Sequence, residues 1–537
     1  MVSTLSLFAQ WPQWPTTEIK PLSALLAVLG LYVVQRIITV IQIFRTHSFF
    51  PIVRTPFQPF ALPGALLPTT SWTTGASWHW DRRGQTYTRN ETVNLVPIIF
   101  GIPGLWTSNI DIARQVAVGG HRVPFIKPEI GSSAFLIWGM NLVAADGQMW
   151  RKHRRVVGPA FGTELYKLVW KQTAQIYRDM VECEGWATKD VVDVPVIQAL
   201  TSKLAFLVIS TCGFGFPSTW ATQAKSGEGE MPVQEALRVA TDTHLLLILV
   251  PKWALHLPIP RFKAARMARD RLLCFMQEQI AERKAEVAAG NTRADAFTML
   301  VKANQDETSK NQLDDEELIG NIFVLLVAGH ETTAHTLAAT LGFMAIHDDI
   351  QDEVLAQITD VVSADRDPQF EDYSKLDKVL AIFYESARMF PAGHVLIREA
   401  TEDTVLNIPN PVGEEGSKTV PIPKGTQIMV DMIGAQYNPR YFDNPEEYRP
   451  SRWYGLPPDS ELFTAFSVGQ RACIGRRFAT VEAVCFLALF LREWKVLPVL
   501  RDGESKEAWR ARVLDAQIVL TLTLRDIPLR FEKRKLM

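Results

Sequence analysis

The stretch FSVGQRACIG, residues 466–475, sets a single cysteine, Cys473, between Gly469 and Gly475, with Arg471 two positions ahead of it. Only four other cysteines accompany it: Cys183, Cys212, Cys274 and Cys485. The total is odd and the five are scattered without close pairs, which argues against a disulfide framework and for a reducing compartment. Cys473 is therefore expected to be a free thiol, and its placement in a glycine-bearing stretch calls for a chemical reason. Composition narrows the choices. With 537 residues, 47% hydrophobic and 21% charged, the chain can bury a large core, and a formal net charge of −2 makes it a poor candidate for wrapping nucleic acid. An electrostatic partner has to read a local patch.

Far from that turn, residues 22–44 (LSALLAVLGLYVVQRIITVIQIF) form an apolar run long enough, as a helix, to cross a hydrocarbon layer of about 30 Å, with Arg36 its only charge. Arg36 lies past the middle and is expected to snorkel toward the C-terminal side. Residues 1–20 carry only Glu18 and Lys20, whereas Arg36, Arg45 and Arg54 come with no acid among them, so the positive-inside rule puts the bulk of the chain in the cytosol. A cleaved signal peptide fits less well, because the run starts late, is too long for an h-region and lacks a small-residue cleavage pattern. Next comes PIVRTPFQPFALPGALLP (51–68), whose prolines Pro51, Pro56, Pro59, Pro63 and Pro68 favour a stiff, extended spacer. The expected organisation is a lumenal tail at 1–20, a transmembrane anchor at 21–45, a proline-rich hinge at 46–69 and one large domain at 70–537.

Helical periodicity dominates that domain, at 146–186, 231–246, 261–289, 314–346, 348–363 and 374–389. Strand-like alternation is confined to short pieces: VNLVPIIF (93–100), TVPIPKGTQIMVDM (419–432) and the pair IVLTLTL and IPLRFEK near the end. A mainly α fold with small β-sheets follows. The segment ELIGNIFVLLVAGHETTAHTLAATLGFMAIH (317–347) is apolar enough for the domain centre, yet Glu331, Thr332 and Thr333 place a carboxylate and hydroxyls mid-helix, where burial demands partners and a local kink is expected. Ala328 and Thr332 stand one turn apart on one face, leaving room for a ligand beside a hydroxyl. A zinc-protease reading of His330-Glu331 fails on spacing, since H-E-x-x-H needs its second histidine where Ala334 stands. Glu385 and Arg388, at i,i+3, can pair, and Arg452 would extend the pair to a network if the chain folds back.

Together these pieces resemble the cytochrome P-450 family of haem-thiolate monooxygenases, of the fungal microsomal type. The resemblance spans nearly the whole chain, keeps the family's motif order, and implies a haem-thiolate catalytic domain of that fold over 70–537. Phe466, Gly469, Arg471, Cys473 and Gly475 match the family's haem-binding loop at every defining position. By that match Cys473 is the axial ligand to the iron of haem b, the glycines let the backbone approach the haem, and Arg471 neutralises a propionate. The residues after Cys473 read as a helix with its N-terminus near the sulfur, which predicts a lowered thiol pKa. Trp150 and Arg154 match the pair that holds a propionate, and Arg398 occupies the place of another propionate arginine. Glu385 and Arg388 match the E-x-x-R pair, with Arg452 its third member; Ser451 departs from the glutamate usual before that arginine. The segment from Ala328 to Thr333 matches the oxygen-activation helix, which makes Thr332 and Glu331 the expected proton donors. Cys485 reads as packing.

The implied activity is insertion of one oxygen atom of O2 into a C–H bond of a lipophilic small molecule. No flavin or nicotinamide site is apparent: the run from Gly213 to Ser218 lacks the third glycine of a dinucleotide fingerprint and has Pro217 where a helix should begin. Electrons are then expected from NADPH through a separate flavoprotein reductase, docking on a basic patch of Arg476, Arg477, Lys152, His153 and Arg155. Residues 105–145 and 205–260, strongly apolar, are expected to roof the substrate pocket. Likeness to fungal microsomal enzymes of secondary metabolism implies a terpenoid or triterpenoid substrate and an endoplasmic reticulum membrane. The alternatives are a fatty-acid or xenobiotic hydroxylase, or a haem isomerase or dehydratase needing no reductase, a class that often lacks the acid–alcohol pair which Glu331 and Thr332 supply here.

Overall fold

A computed structural model of the chain describes residues 21–46, 49–117, 124–128, 136–216, 219–221, 231–243, 246–247, 250–251, 253–290, 293–305, 312–410, 414–457, 460, 462–519 and 521–535. The tail expected at 1–20 lies outside them. The main helices are α1 (Pro21–Thr46), α2 (Gly147–Val157), α3 (Thr163–Cys183), α4 (Ile197–Val208), α5 (Pro260–Ala288), α6 (Asp315–Ile346), α7 (Asp377–Met389) and α8 (Arg476–Glu493). The largest sheet holds β1 (Ile52–Phe57), β2 (Thr92–Phe100), β3 (Gly104–Thr107), β4 (Phe125–Ile126), β5 (Val395–Ala400) and β6 (Gln427–Asp431), in the order β1-β2-β3-β6-β5-β4. The mainly α reading with small sheets is the architecture observed.

α6 forms the axis of the domain because it is apolar on all sides: every side chain at 317–324 and 336–345 is buried. Its start is fixed by a capping box in which the Asp314 carboxylate accepts the Glu317 amide at 2.8 Å and Glu317 accepts the Asp314 amide at 2.9 Å. α8 is likewise buried at every position from 478 to 492. α3 covers it with a face that includes Val169, Trp170, Tyr177 and Met180, and the Cys485 thiol of α8 donates to the Trp170 carbonyl at 3.4 Å. Cys485 is thus the packing group anticipated.

Several boundaries differ from the sequence reading, each for a local reason. The helix expected at 146–186 breaks into α2 and α3, because Pro159 lacks an amide donor and Gly162 is extended at the α3 start. The strand expected at 419–432 splits at Gly425, whose φ of +81° turns the chain between Ser417–Ile422 and β6. The supposed spacer belongs to the domain: β1 pairs in parallel with β2, and Pro63 opens a short helix at Leu62–Leu66. α6 runs as one continuous helix through Glu331 to Thr333. There the Thr332, Thr333 and Thr336 hydroxyls donate back to the carbonyls four residues earlier, at 2.8–3.2 Å.

α1 is exposed along most of its length, and its segment Leu22–Ile43 is long and apolar enough to cross a membrane; α6 passes the same test but is half buried as the core helix. Arg36 donates to the Pro97 and Ile98 carbonyls at the end of β2 and to that of Gly101 just beyond it.

The seating of α6 turns on Gly320, where an added Cβ would lie 2.5 Å from the Met140 carbonyl oxygen, a backbone atom that cannot swing aside. Gly320→Ala gains up to about 1 kcal/mol of helix propensity but incurs an overpacking penalty of about 1–3 kcal/mol. The net expectation is destabilisation, read as a lower thermal midpoint than wild type.

Candidate active site

Cys473 is presented by a turn that the chain closes on itself. Its amide donates to the Phe466 carbonyl at 2.9 Å, the Ala472 amide donates to the Gly469 carbonyl at 3.0 Å, and Ser467 and Gly469 both take positive φ, +68° and +67°. A left-handed conformation is strained for serine but free for glycine, which accounts for Gly469. α8 begins three residues after the sulfur, at Arg476.

The thiol opens into a cavity of about 400 Å³ lined by Cys473, Phe466, Arg471 and Gly475 from the turn and by Ala328, Gly329, Thr332, Thr333 and Thr336 from α6. Apolar side chains, among them Leu142, Ile209, Phe214, Phe297, Leu300 and Leu325, form much of the remaining wall. Burial pushes the Cys473 thiol pKa up; the amides of Gly475 and Arg476 and the charges of Arg154 and Arg476 pull the other way without overcoming it. The helix terminus acts in the expected direction, but the net shift is opposite to the one predicted.

One edge of the cavity is cationic. Trp150, Arg154, Arg398 and Arg471 all line it, so the structure brings together the residues that sequence assigned to the propionates. The Arg471 guanidinium lies 4.2 Å over the Trp150 ring, donates to the Ala145 carbonyl at 2.9 Å and pairs with Asp146. Among the described residues, Arg398 donates only to its neighbouring carbonyl, Ile397 O, at 2.8 Å. Lys127, which the sequence analysis did not single out, joins them: its amide donates to Asp146 at 2.7 Å, and burial, reinforced by Arg471 and Arg398, pushes its ammonium pKa down to about 7. Burial also pushes Arg471 down, to about 10.

Asp146 is the carboxylate of this cluster; burial opposes its ionisation, but the Lys127 and Gly147 amides and the Arg471 charge hold its pKa below the usual range. Among the described residues, Arg154 and Arg398 have no carboxylate within ion-pair distance. Cations thus outnumber anions at the rim of an apolar cavity with a thiol in its wall. This donor set fits a flat, apolar, dianionic group carrying a thiolate-seeking metal, which is what haem is.

The second predicted constellation also assembles. Glu385 and Arg388 are fully buried, and Glu385 accepts from Arg388 Nε at 2.9 Å and Nη2 at 2.8 Å and from Arg452 Nε at 3.3 Å. Two donors were missed, the Arg449 amide at 3.0 Å and the Trp453 indole at 2.8 Å, although Trp453 directly follows Arg452. The Trp453 ring meets Phe463 edge-on at 5.0 Å, and Phe463 stacks on Tyr384 at 4.0 Å and packs against Phe466 at 5.7 Å, which carries the network to the cysteine turn.

Other placements correct the sequence reading. Thr332 faces the cavity but Glu331 does not line it: its Oε1 accepts from Thr521 Oγ1 at 3.0 Å and stands 4.0 Å from His335, whose pKa burial pushes down to about 4. The basic patch is largely used internally. Lys152 pairs with Glu317 at 2.6 Å, buried His153 meets Asn321 at 2.7 Å, and Arg476 donates to the Ser460 carbonyl at 2.9 Å, while Arg477 lies 4.4 Å over the Tyr373 ring. Of the expected pocket roof, Leu142, Val143, Ile209, Gly213 and Phe214 line the cavity together with Lys127, but none of the described residues from 215 to 260 does.

A helical domain with a cysteine turn against a long central helix, and a cationic rim beside it, defines a haem-thiolate enzyme. Comparison with known proteins agrees. The cytochrome P-450 family model matches residues 109–517. A protein of Postia placenta described as cytochrome P-450 monooxygenase 124 is 34% identical over 500 residues, covering 92% of this chain and 93% of its own. One of Streptomyces melanosporofaciens described as cyclooctat-9-en-7-ol 5-monooxygenase is 28% identical, covering 72% of this chain and 79% of its own. A crystal structure of a cytochrome P-450 shares the fold with a TM-score of 0.66 at 22% identity, over 85% of this chain and 97% of its own. The chain belongs to the cytochrome P-450 family of monooxygenases, oxidoreductases in which haem iron is held by a cysteine thiolate.

Glu385→Ala would strand the Arg388 charge in a buried site, and breaking such a pair costs about 3–5 kcal/mol. The expected result is a sharp drop in haem-loaded, folded protein. Arg452→Ala, which leaves the buried pair intact, is expected to lose less, as read from the haem absorbance of equal amounts of purified chain.

Proposed function

We propose that this chain is a membrane-anchored monooxygenase that hydroxylates a lipophilic small molecule of the terpenoid class. In this reading α1 anchors the chain in the endoplasmic reticulum membrane with residues 1–20 lumenal and the catalytic domain cytosolic. The overall reaction is RH + O2 + NADPH + H+ → ROH + NADP+ + H2O, with both electrons delivered by a separate flavoprotein reductase. The observation that carries the reading is the Cys473 thiol opening into the same apolar cavity as the Thr332 hydroxyl. The substrate class draws on that apolar wall and on a relative named for oxidising cyclooctat-9-en-7-ol, by its name an unsaturated alcohol.

When bound, haem b held by a thiolate activates O2 reductively and transfers one of its oxygen atoms to a C–H bond. The chain's own residues have distinct tasks. Cys473 supplies the ligand, Phe466, Gly469 and Gly475 shape the turn, and Arg471, Trp150, Arg154, Arg398 and Lys127 hold the propionates. Glu385, Arg388 and Arg452 keep the turn in place. The Thr332 hydroxyl donates to the Ala328 carbonyl at 2.8 Å, which leaves its oxygen lone pairs toward the cavity to accept and relay a proton from water. Glu331, turned toward Thr521, feeds protons from behind the helix rather than from within the cavity.

Membranes containing the chain, a reductase, NADPH and O2 are expected to convert a terpenoid extract into products heavier by one oxygen, detected by untargeted mass spectrometry. Products that form without NADPH or O2 would overturn the monooxygenase reading. In the reduced protein the carbon monoxide complex should show the red-shifted Soret band of thiolate ligation, and Cys473→Ser should abolish it. Thr332→Ala is expected to retain haem and NADPH consumption while product per NADPH falls about tenfold or more and peroxide rises. Tight coupling in that variant would remove Thr332 from the proton path.

A further inference from the structure

Strand β2 changes character along its length. Residues 92–97 are buried, whereas Ile98, Ile99, Phe100 and, just beyond, Ile102 are 44–52% exposed. A strand with one wet face alternates polar and apolar residues; an exposed run of Ile, Ile and Phe does not, and marks a surface meant for an apolar medium. This tip is where α1 lies. Tyr32 donates through its hydroxyl to the Ile99 carbonyl at 2.6 Å; Arg36 donates to Ile98 O at 3.2 Å, to Gly101 O at 3.0 Å and to Pro97 O. Four consecutive or near-consecutive carbonyls therefore accept from side chains of the anchor helix.

Depth follows from helix geometry. Arg36 lies seven residues before Ile43, the end of the apolar span, or about 10 Å along a helix rising 1.5 Å per residue. Were the whole domain above the bilayer, the span would have to end before Arg36. Residues 22–35 would then cover only about 21 Å of a hydrocarbon layer about 30 Å thick. The contact level, and the strand tip with it, therefore falls below the membrane surface. In that medium neither a lone guanidinium nor a bare strand-end carbonyl finds water, and each satisfies the other.

We propose that Arg36 and Tyr32 lock the anchor to the end of β2 and that Ile98, Ile99, Phe100 and Ile102 enter the acyl layer beside it. The lipid bilayer is the occupant of this apolar surface, which is continuous with the exposed face of α1. The domain is then held at one depth and tilt instead of swinging on a hinge. The inference rests on the membrane-anchor reading above.

The test places a nitroxide label on full-length, haem-loaded protein in phosphatidylcholine vesicles, with exposed Cys183 and Cys274 replaced by serine. Labels go to Ile99→Cys, to Leu31→Cys within the anchor, and to Lys171→Cys on the exposed face of α3, the helix that covers α8 away from the large sheet. Accessibility to O2 against a water-soluble nickel chelate reports depth. The label at 99 is expected to match that at 31 and differ from that at 171. Adding Arg36→Leu should shift the 99 label toward the aqueous value while leaving 31 unchanged. An aqueous value at 99 with an acyl value at 31 overturns the inference and leaves the anchor standing; an aqueous value at 31 overturns the anchor reading itself. An acyl value at 99 that Arg36→Leu does not move overturns the lock.

Discussion

A carboxylate without solvent exposure must have its lone pairs filled by donors, and Glu385 draws its donors from two segments far apart in sequence. Arg388 comes from the same helix, while the Arg449 amide, the Arg452 guanidinium and the Trp453 indole come from a loop more than sixty residues later. Burying an ion pair is weakly stabilising at best, since desolvation offsets most of the attraction. What the satisfied pair supplies is selectivity, because only one placement of the 449–453 loop fills every site on Glu385. That placement aims Trp453 at Phe463, and Phe463 meets both Tyr384 and Phe466. The position of the sulfur thus depends on a charge that never touches it.

The cavity shows a second balance of opposing terms. Around Cys473, the amides of Gly475 and Arg476 and the nearby arginines favour the thiolate while burial disfavours it. The rim has the reverse imbalance. Lys127, Arg154, Arg398 and Arg471 line it, Asp146 pairs with Arg471, and burial weakens the hold of Lys127 on its charge. One end of the cavity asks for a positive partner and the other for negative ones. A single ligand that meets both demands relieves both, which explains why these groups lie on one wall.

Much of this site was legible in sequence because its parts depend on spacing within one short segment. The cysteine turn, the Glu385–Arg388 pair and the Trp150–Arg154 pair each sit within about a helical turn or one loop. Rotation about a helix hid the rest. Successive helical residues point about 100° apart, so a narrow cavity takes some neighbours and not others: Thr332 and Thr333 line it while Glu331 turns away, and the pattern of α6 alone does not say which do. On α2, Trp150 and Arg154 share the cavity face, whereas Lys152 and His153 meet Glu317 and Asn321 on α6. Lys127 carries no local signal, because only tertiary folding brings it to Asp146. β1 was hidden by its prolines, which suit a spacer and an edge strand equally well.

The large sheet ties the α1 end of the molecule to the cavity rim. One transverse row runs Ile52, Asn94, Leu105, Ile428 and Arg398 across β1, β2, β3, β6 and β5 in register. Strands lie about 4.8 Å apart, so the Arg398 backbone stands roughly 14 Å from that of Asn94 across three hydrogen-bonded steps. β2 carries, at its far end, the carbonyls that receive Arg36, and β5 carries an arginine of the cavity rim. A hydrogen-bonded sheet resists shear between neighbouring strands, so a tilt imposed on β2 by the anchor is passed to the rim with little loss. A chain swinging freely on a linker would present its cavity in every direction. In the proposed membrane-anchored arrangement the cavity would face one way relative to the bilayer, and an apolar substrate dissolved there would approach a fixed geometry.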